Sequence, residues 1–113
     1  MANSFKNKKV DLTTTDLTTL YTVPTATTTV IKSILVSDDS GSGTTIDVTL
    51  VNSSSAIFSL FKSKSISGNA TTELLTQPLV MEESEVLKVQ SGYANRLHVI
   101  ASILEIRPRE VTS

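Results

Sequence analysis

Short runs of aliphatic and β-branched residues recur about every ten residues along this chain, and each is closed by glycine, proline, asparagine, aspartate or serine. This spacing constrains the fold more than any other feature. Strands so short, joined by turns so short, satisfy their backbone hydrogen bonds by antiparallel pairing. Parallel pairing needs a crossover of a dozen or more residues, and no stretch offers one. No window of about a dozen residues carries the i, i+3, i+4, i+7 apolar spacing of a helix. The 17 Thr and 16 Ser act in the same direction: β-branched side chains suit a pleated surface, and hydroxyls compete with helical hydrogen bonds.

The strands are read as follows. Residues 21–24 form a short strand closed by Pro24, which has no N–H for a central ladder. Residues 28–37 are apolar enough for burial on much of both faces. The segment 38–43, Asp-Asp-Ser-Gly-Ser-Gly, is a turn. Residues 45–52 alternate, with Ile46, Val48 and Leu50 inward. Residues 56–66, 71–75, 79–81 and 86–90 follow, the last with Leu87 and Val89 on one face. Residues 97–106 close the domain, Leu97, Val99, Ala101 and Ile103 alternating against His98, Ile100, Ser102 and Leu104. The fold class expected is all-β, an antiparallel β-sandwich of seven or eight strands, jelly-roll or immunoglobulin-like, with a meander barrel as the other closed solution. A threonine-rich stretch, residues 10–20, leads into it. Residues 1–9 read as a polar N-terminal arm, residues 10–108 as the sandwich domain and residues 109–113 as a C-terminal tail, both ends short and flexible.

At 113 residues there is room for one core. The chain has no cysteine, which excludes disulfides, thiolate metal sites and cysteine nucleophiles. A net charge of −1 gives no field that steers the protein to nucleic acid or an anionic membrane. No apolar run approaches the roughly 18–20 residues of a membrane-spanning helix, and the polar, basic start is not a secretory signal. The two sequons, at Asn52 and Asn69, are accordingly read as accidental.

Residues able to do chemistry are few. Asp38, Asp39, Ser40 and Ser42 offer oxygens of the kind calcium takes, but their spacing departs from the D-x-[DN]-x-[DN]-G loop and suits a turn. Glu82, Glu83 and Glu85 form an acidic corner with the look of a solvated rim; paired carboxylates do acid–base work when one is buried. His98 lies inside an alternating strand, with no G-x-S-x-G elbow elsewhere; a hydrolase or cupin-like site there needs two further ligands converging on it. No cofactor is expected. With no tryptophan, two tyrosines and three phenylalanines, there is no stacking platform for bases or sugars. Phe5, Lys6, Lys8 and Lys9 suit contact with a neighbouring subunit better than with nucleic acid.

Three stretches carry a resemblance: Leu20-Tyr21-Thr22-Val23-Pro24 with Thr28-Thr29-Val30-Ile31-Lys32-Ser33-Ile34, then the segment from Pro78 through Glu82-Glu83-Ser84-Glu85 to Leu87-Lys88-Val89, then Val99-Ile100-Ala101-Ser102-Ile103-Leu104-Glu105-Ile106. Together, over roughly residues 20–106, they resemble small virion structural proteins of tailed bacteriophages, notably marine and cyanobacterial ones. Position 84 carries Ser where that pattern more often has Gly. The resemblance implies a non-enzymatic β-sandwich in the virion that assembles with other virion proteins and as a homo-oligomer, as capsid decoration or cement protein or in the neck or tail. It also implies that the two ends embrace neighbours, through Phe5, Lys6, Lys8 and Lys9 at one end and Arg107, Arg109 and Glu110 at the other. The alternative from another class is a carbohydrate-binding or host-attachment module.

Overall fold

The computed structural model describes residues 2–107 and contains nine strands: β1 (Ala2–Leu12), β2 (Thr18–Thr22), β3 (Thr28–Asp38), β4 (Thr44–Val51), β5 (Ile57–Ile66), β6 (Thr71–Glu73), β7 (Leu79–Met81), β8 (Val86–Ser91) and β9 (Leu97–Arg107). They form two antiparallel sheets. Sheet A runs β1-β9-β3-β6, with β7 also on β3, and sheet B runs β2-β8-β4-β5. β6 and β7 share one edge position, β6 pairing residues 35–37 of β3 and β7 pairing residues 29–31.

The pairing is nested. β1 lies against β9, β2 against β8, β3 against β6 and β7, and β4 against β5. The chain thus doubles back after β4 and the resulting long hairpin is rolled into two facing sheets, which is the jelly-roll arrangement. Strand order decides between the alternatives that periodicity left open. The core lies between the sheets: Ile31, Ile34, Val36, Val99, Ala101 and Ile103 from one side meet Ile46, Val48, Leu87 and Val89 from the other.

Two bulges explain where alternation fails. On β3 the register shifts between Ile31 and Ser33. The extra residue, Lys32, lets Ile31 and Ile34 both face the core although three positions separate them. On β2 a shift between Thr19 and Tyr21 turns the adjacent Leu20 and Tyr21 both inward, at 7% and 4% exposure.

Residues 1–9, expected as an arm, differ from that expectation from Ala2 onward: they are most of β1, paired residue for residue with β9 down to Ala2↔Arg107. The reason is local. β1 is an edge strand whose inner face carries Lys6 and Lys8 before Val10 and Leu12, so the aliphatic alternation that marks a strand is missing while the ladder still forms. Residues 108–113, including Arg109 and Glu110, lie outside the described residues.

Ser84 has φ 69°, in the turn where Glu85 N–H donates to Glu82 O at 3.1 Å. A side chain there costs about 1–2 kcal/mol, of which glycine's extra unfolded-state freedom takes back about half. Ser84→Gly is therefore expected to raise stability by about 0.5–1 kcal/mol, read as a few degrees in Tm by calorimetry; a fall would contradict the turn geometry.

Candidate functional site

Polar chemistry at the core concentrates where β1, β2, β3 and β9 meet. The alternation of β9 continues past Ile103 and carries Glu105 to the inner face, where it is 2% exposed. From the opposite sheet the Tyr21 hydroxyl donates to Glu105 Oε2 at 2.6 Å and contacts the Thr29 hydroxyl at 2.7 Å. Lys6 Nζ reaches Glu105 Oε1 at 3.0 Å, with Arg107 Nη2 at 3.8 Å. Burial by itself lifts a carboxyl's pKa, but the Tyr21 hydrogen bond together with Lys6 and Arg107 outweighs it, so the Glu105 carboxyl stays below its usual range. The phenol moves the other way: burial first, then its bond to the carboxylate, pushes Tyr21 well above its usual 10.0. This cluster ties sheet B to sheet A. Its carboxylate is occupied by protein partners.

His98 is on the outer face of sheet A, in a cross-strand row with Asp11 of β1 and Ser37 of β3. Its Nε2 faces Asp11 Oδ1 at 3.2 Å and its Nδ1 faces Asp39 Oδ2 at 3.8 Å. The two carboxylates meet different ring nitrogens on diverging directions, whereas a metal needs its donors aimed at one point. Asp11, His98 and Ser37 have the residue types of a nucleophilic triad, but Nδ1 faces Asp39, and the Asp38 amide that follows Ser37 already donates to Ala70 O at 3.0 Å.

The calcium candidate resolves into a turn. Asp38 Oδ1 accepts the Ser40 and Gly41 amides at 2.8 and 2.9 Å and the Ser40 hydroxyl at 2.9 Å. Burial opposes ionisation there, and these donors overcome it and hold the Asp38 carboxyl below its usual range. Its partner Asp39 turns instead to His98. In the acidic corner Glu83 Oε1 accepts the Ala26 amide at 3.0 Å and Glu85 Oε1 the Glu82 amide at 2.8 Å. These carboxylates cap backbone turns.

What remains is surface. On the outer face of sheet A, register places Phe5, Leu104, Val30 and Val80 in one row across β1, β9, β3 and β7. Its two ends are the most open, Phe5 at 74% and Val80 at 58% exposure. Four residues along β1, two rows on, lies a parallel row, Lys9, Ile100, Leu35 and Glu73. The long edges also differ. β5 is broken by register shifts against β4 and by Ser63 at φ 53°, devices that spoil an edge for pairing. β1 pairs with β9 along all its 11 residues without a shift, leaving a regular, open row of backbone donors and acceptors.

The interface residues expected from sequence separate accordingly. Phe5 and Lys9 face outward, Lys9 Nζ donating to Asn7 Oδ1 at 3.0 Å. Lys6 turns inward to Glu105, Lys8 lies 6.0 Å from the centroid of the Tyr21 ring, and Arg107 sits beside Glu105 and Thr27. Val80, Glu73, Tyr21 and Glu105 were not picked out from sequence. Parity along β9 is the signal that would have found Glu105. The exposed aromatics Phe5, Phe58 and Tyr93 lie on β1, β5 and the β8–β9 turn, so they form no common platform, and Arg96 covers one face of Tyr93 at 4.2 Å.

No protein-family model and no curated protein matches the chain. Among solved structures, a pentameric capsid protein isolated from metagenomic phage sequences is similar at a TM-score of 0.43 and 17% identity, over 88% of this chain. The aligned part spans 66% of that protein's length.

Proposed function

We propose that this chain is a non-enzymatic structural component of a bacteriophage particle, a capsid decoration or cement protein or a neck or tail part, held in place by contacts with other virion proteins and with copies of itself. The observation that carries this reading is the outer surface of sheet A. A regular 11-residue edge strand stands open beside an apolar row that ends in two widely exposed side chains. An edge with these properties takes up another strand, and an exposed apolar row of this kind is a contact surface. The resemblance over residues 20–106 and the jelly roll, an architecture shared by viral capsid and lectin domains, point the same way as analogies.

Peptide mass spectrometry of particles purified from a culture that encodes the chain tests this. It is expected among the particle proteins at many copies. Its absence from particles while abundant in the lysate would overturn the proposal, and binding in a glycan array would favour host attachment instead.

A further inference from the structure

We propose that sheet A is continued from one copy of this chain to the next, β1 of one adding head to tail to the β6–β7 edge of its neighbour. The inference rests on the assembly reading and names its contact.

The register carries it. Within one copy β1, β9, β3 and β7 alternate in direction, so a neighbour's β1 in the same orientation arrives antiparallel to β7 and β6, as the ladder requires. Extending the two cross-strand rows then brings specific residues together. Phe5 of the incoming strand falls beside Val80, joining the two open ends of the apolar row. Four residues further on, Lys9 falls beside Glu73 of β6. The bulge at Lys32 keeps both rows in step, because Val30 and Leu35 pair Leu104 and Ile100, which in turn pair Phe5 and Lys9. One alignment thus satisfies an apolar and a charged pair at once.

Charge argues against the other solutions. β1 carries Lys6, Lys8 and Lys9, and β5 carries Lys62 and Lys64, while Glu73, Glu82 and Glu83 lie on or just beyond β6 and β7. A two-fold β1–β1 contact centred on Asn7 sets Lys6 opposite Lys8, and a β1–β5 contact joins two basic edges. Of these three edges only the β6–β7 edge is acidic. A head-to-tail contact uses different surfaces on the two partners, so it closes into a ring when the rotation per copy divides a turn.

The absence of cysteine makes the contact testable by cross-linking the full chain. Phe5→Cys and Val80→Cys are made separately and oxidised alone and mixed. Facing positions of an antiparallel pair lie within disulfide reach, so the mixture is expected to yield the mixed dimer, and neither variant alone a comparable product. Separately, Lys9→Glu is expected to weaken association about tenfold with unchanged Tm. Glu73→Lys is expected to weaken it as much and also to lower Tm, because Glu73 Oε2 accepts the Ile34 and Leu75 amides at 2.9 and 3.1 Å. The doubly reversed chain is expected to regain association. Phe5→Cys homodimers in place of the mixed product, or failure of the double reversal to recover, would overturn the contact. If light scattering still shows a discrete oligomer, the contact alone fails and assembly stands; a monomer at every concentration overturns the contact and self-association together, while the virion reading is decided by the particle composition.

Discussion

Glu105→Ala is expected to lower stability by about 3 kcal/mol, because it removes the buried carboxylate that Tyr21, Lys6 and Arg107 all face. The value sits at the low end of such losses for a structural reason. Lys6 and Arg107 are 44% and 50% exposed along their side chains and turn to water once the carboxylate is gone, and the Tyr21 hydroxyl keeps Thr29 at 2.7 Å. In a domain of this size the loss corresponds to about 12 °C in Tm. Tyr21→Phe removes the other end of the tie and is expected to cost about 2 kcal/mol. The double variant should lose less than the sum, since both changes break one hydrogen bond. A loss below about 1 kcal/mol for Glu105→Ala would mean that the sheets are not tied there.

The same hydrogen bond shapes both limbs of the pH profile. In the fold the Glu105 carboxyl lies below its usual 4.5, so the unfolded chain binds more protons in that window. Its contribution is present above about pH 4.5 and is lost as pH falls through the folded value. Asp38 acts in the same direction. Tyr21 is raised, so its contribution is complete below its usual 10.0 and is lost as pH rises beyond it. Urea unfolding across pH should therefore show Glu105→Gln with a shallower acid limb and Tyr21→Phe with a shallower alkaline one. Unchanged slopes would contradict the assignment.

The second large effect is in the apolar core. Leu87, with no exposed surface, lies on the middle strand β8 between Tyr21 and Leu50, its cross-strand partners. Leu87→Ala forfeits transfer energy and leaves a cavity that two sheets cannot close without sliding past one another, a loss of about 3–4 kcal/mol. Phe5→Ser, at a position 74% exposed, is expected to change stability by no more than about 0.5 kcal/mol. Both side chains are large and apolar; only the first is there for the fold. If Phe5→Ser unfolded the protein as Leu87→Ala does, Phe5 would belong to the core and not to a contact.

Much of this molecule is legible in its sequence, for reasons that individual strands make clear. The strand expected at residues 28–37 is β3, Thr28–Asp38, and that at 97–106 is β9, Leu97–Arg107, since dense aliphatic alternation between turn residues has no other stable use. β1 escaped notice because Lys6 and Lys8 stand where aliphatic residues mark an inner face. Their partners, Glu105 and the Tyr21 ring, are far away in the chain. The bulges at Lys32 and Leu20 break the period of two, and a broken period looks like an ill-defined face. Strand order is set by how the rolled hairpin buries both sheets, which no local pattern encodes. Of the candidate site, Phe5 and Lys9 could be named from sequence, but Val80 and Glu73 become their counterparts only once register sets the four strands side by side.

The measurement that bears most directly on assembly through sheet A is the mass of the purified protein in solution, by light scattering over a range of concentrations, for the native chain and Phe5→Ser. The account expects a discrete multiple of the 12.1 kDa protomer that falls toward a single chain in the variant at unchanged Tm. A native protein that stays at 12.1 kDa throughout, or an oligomer indifferent to Phe5, would contradict it.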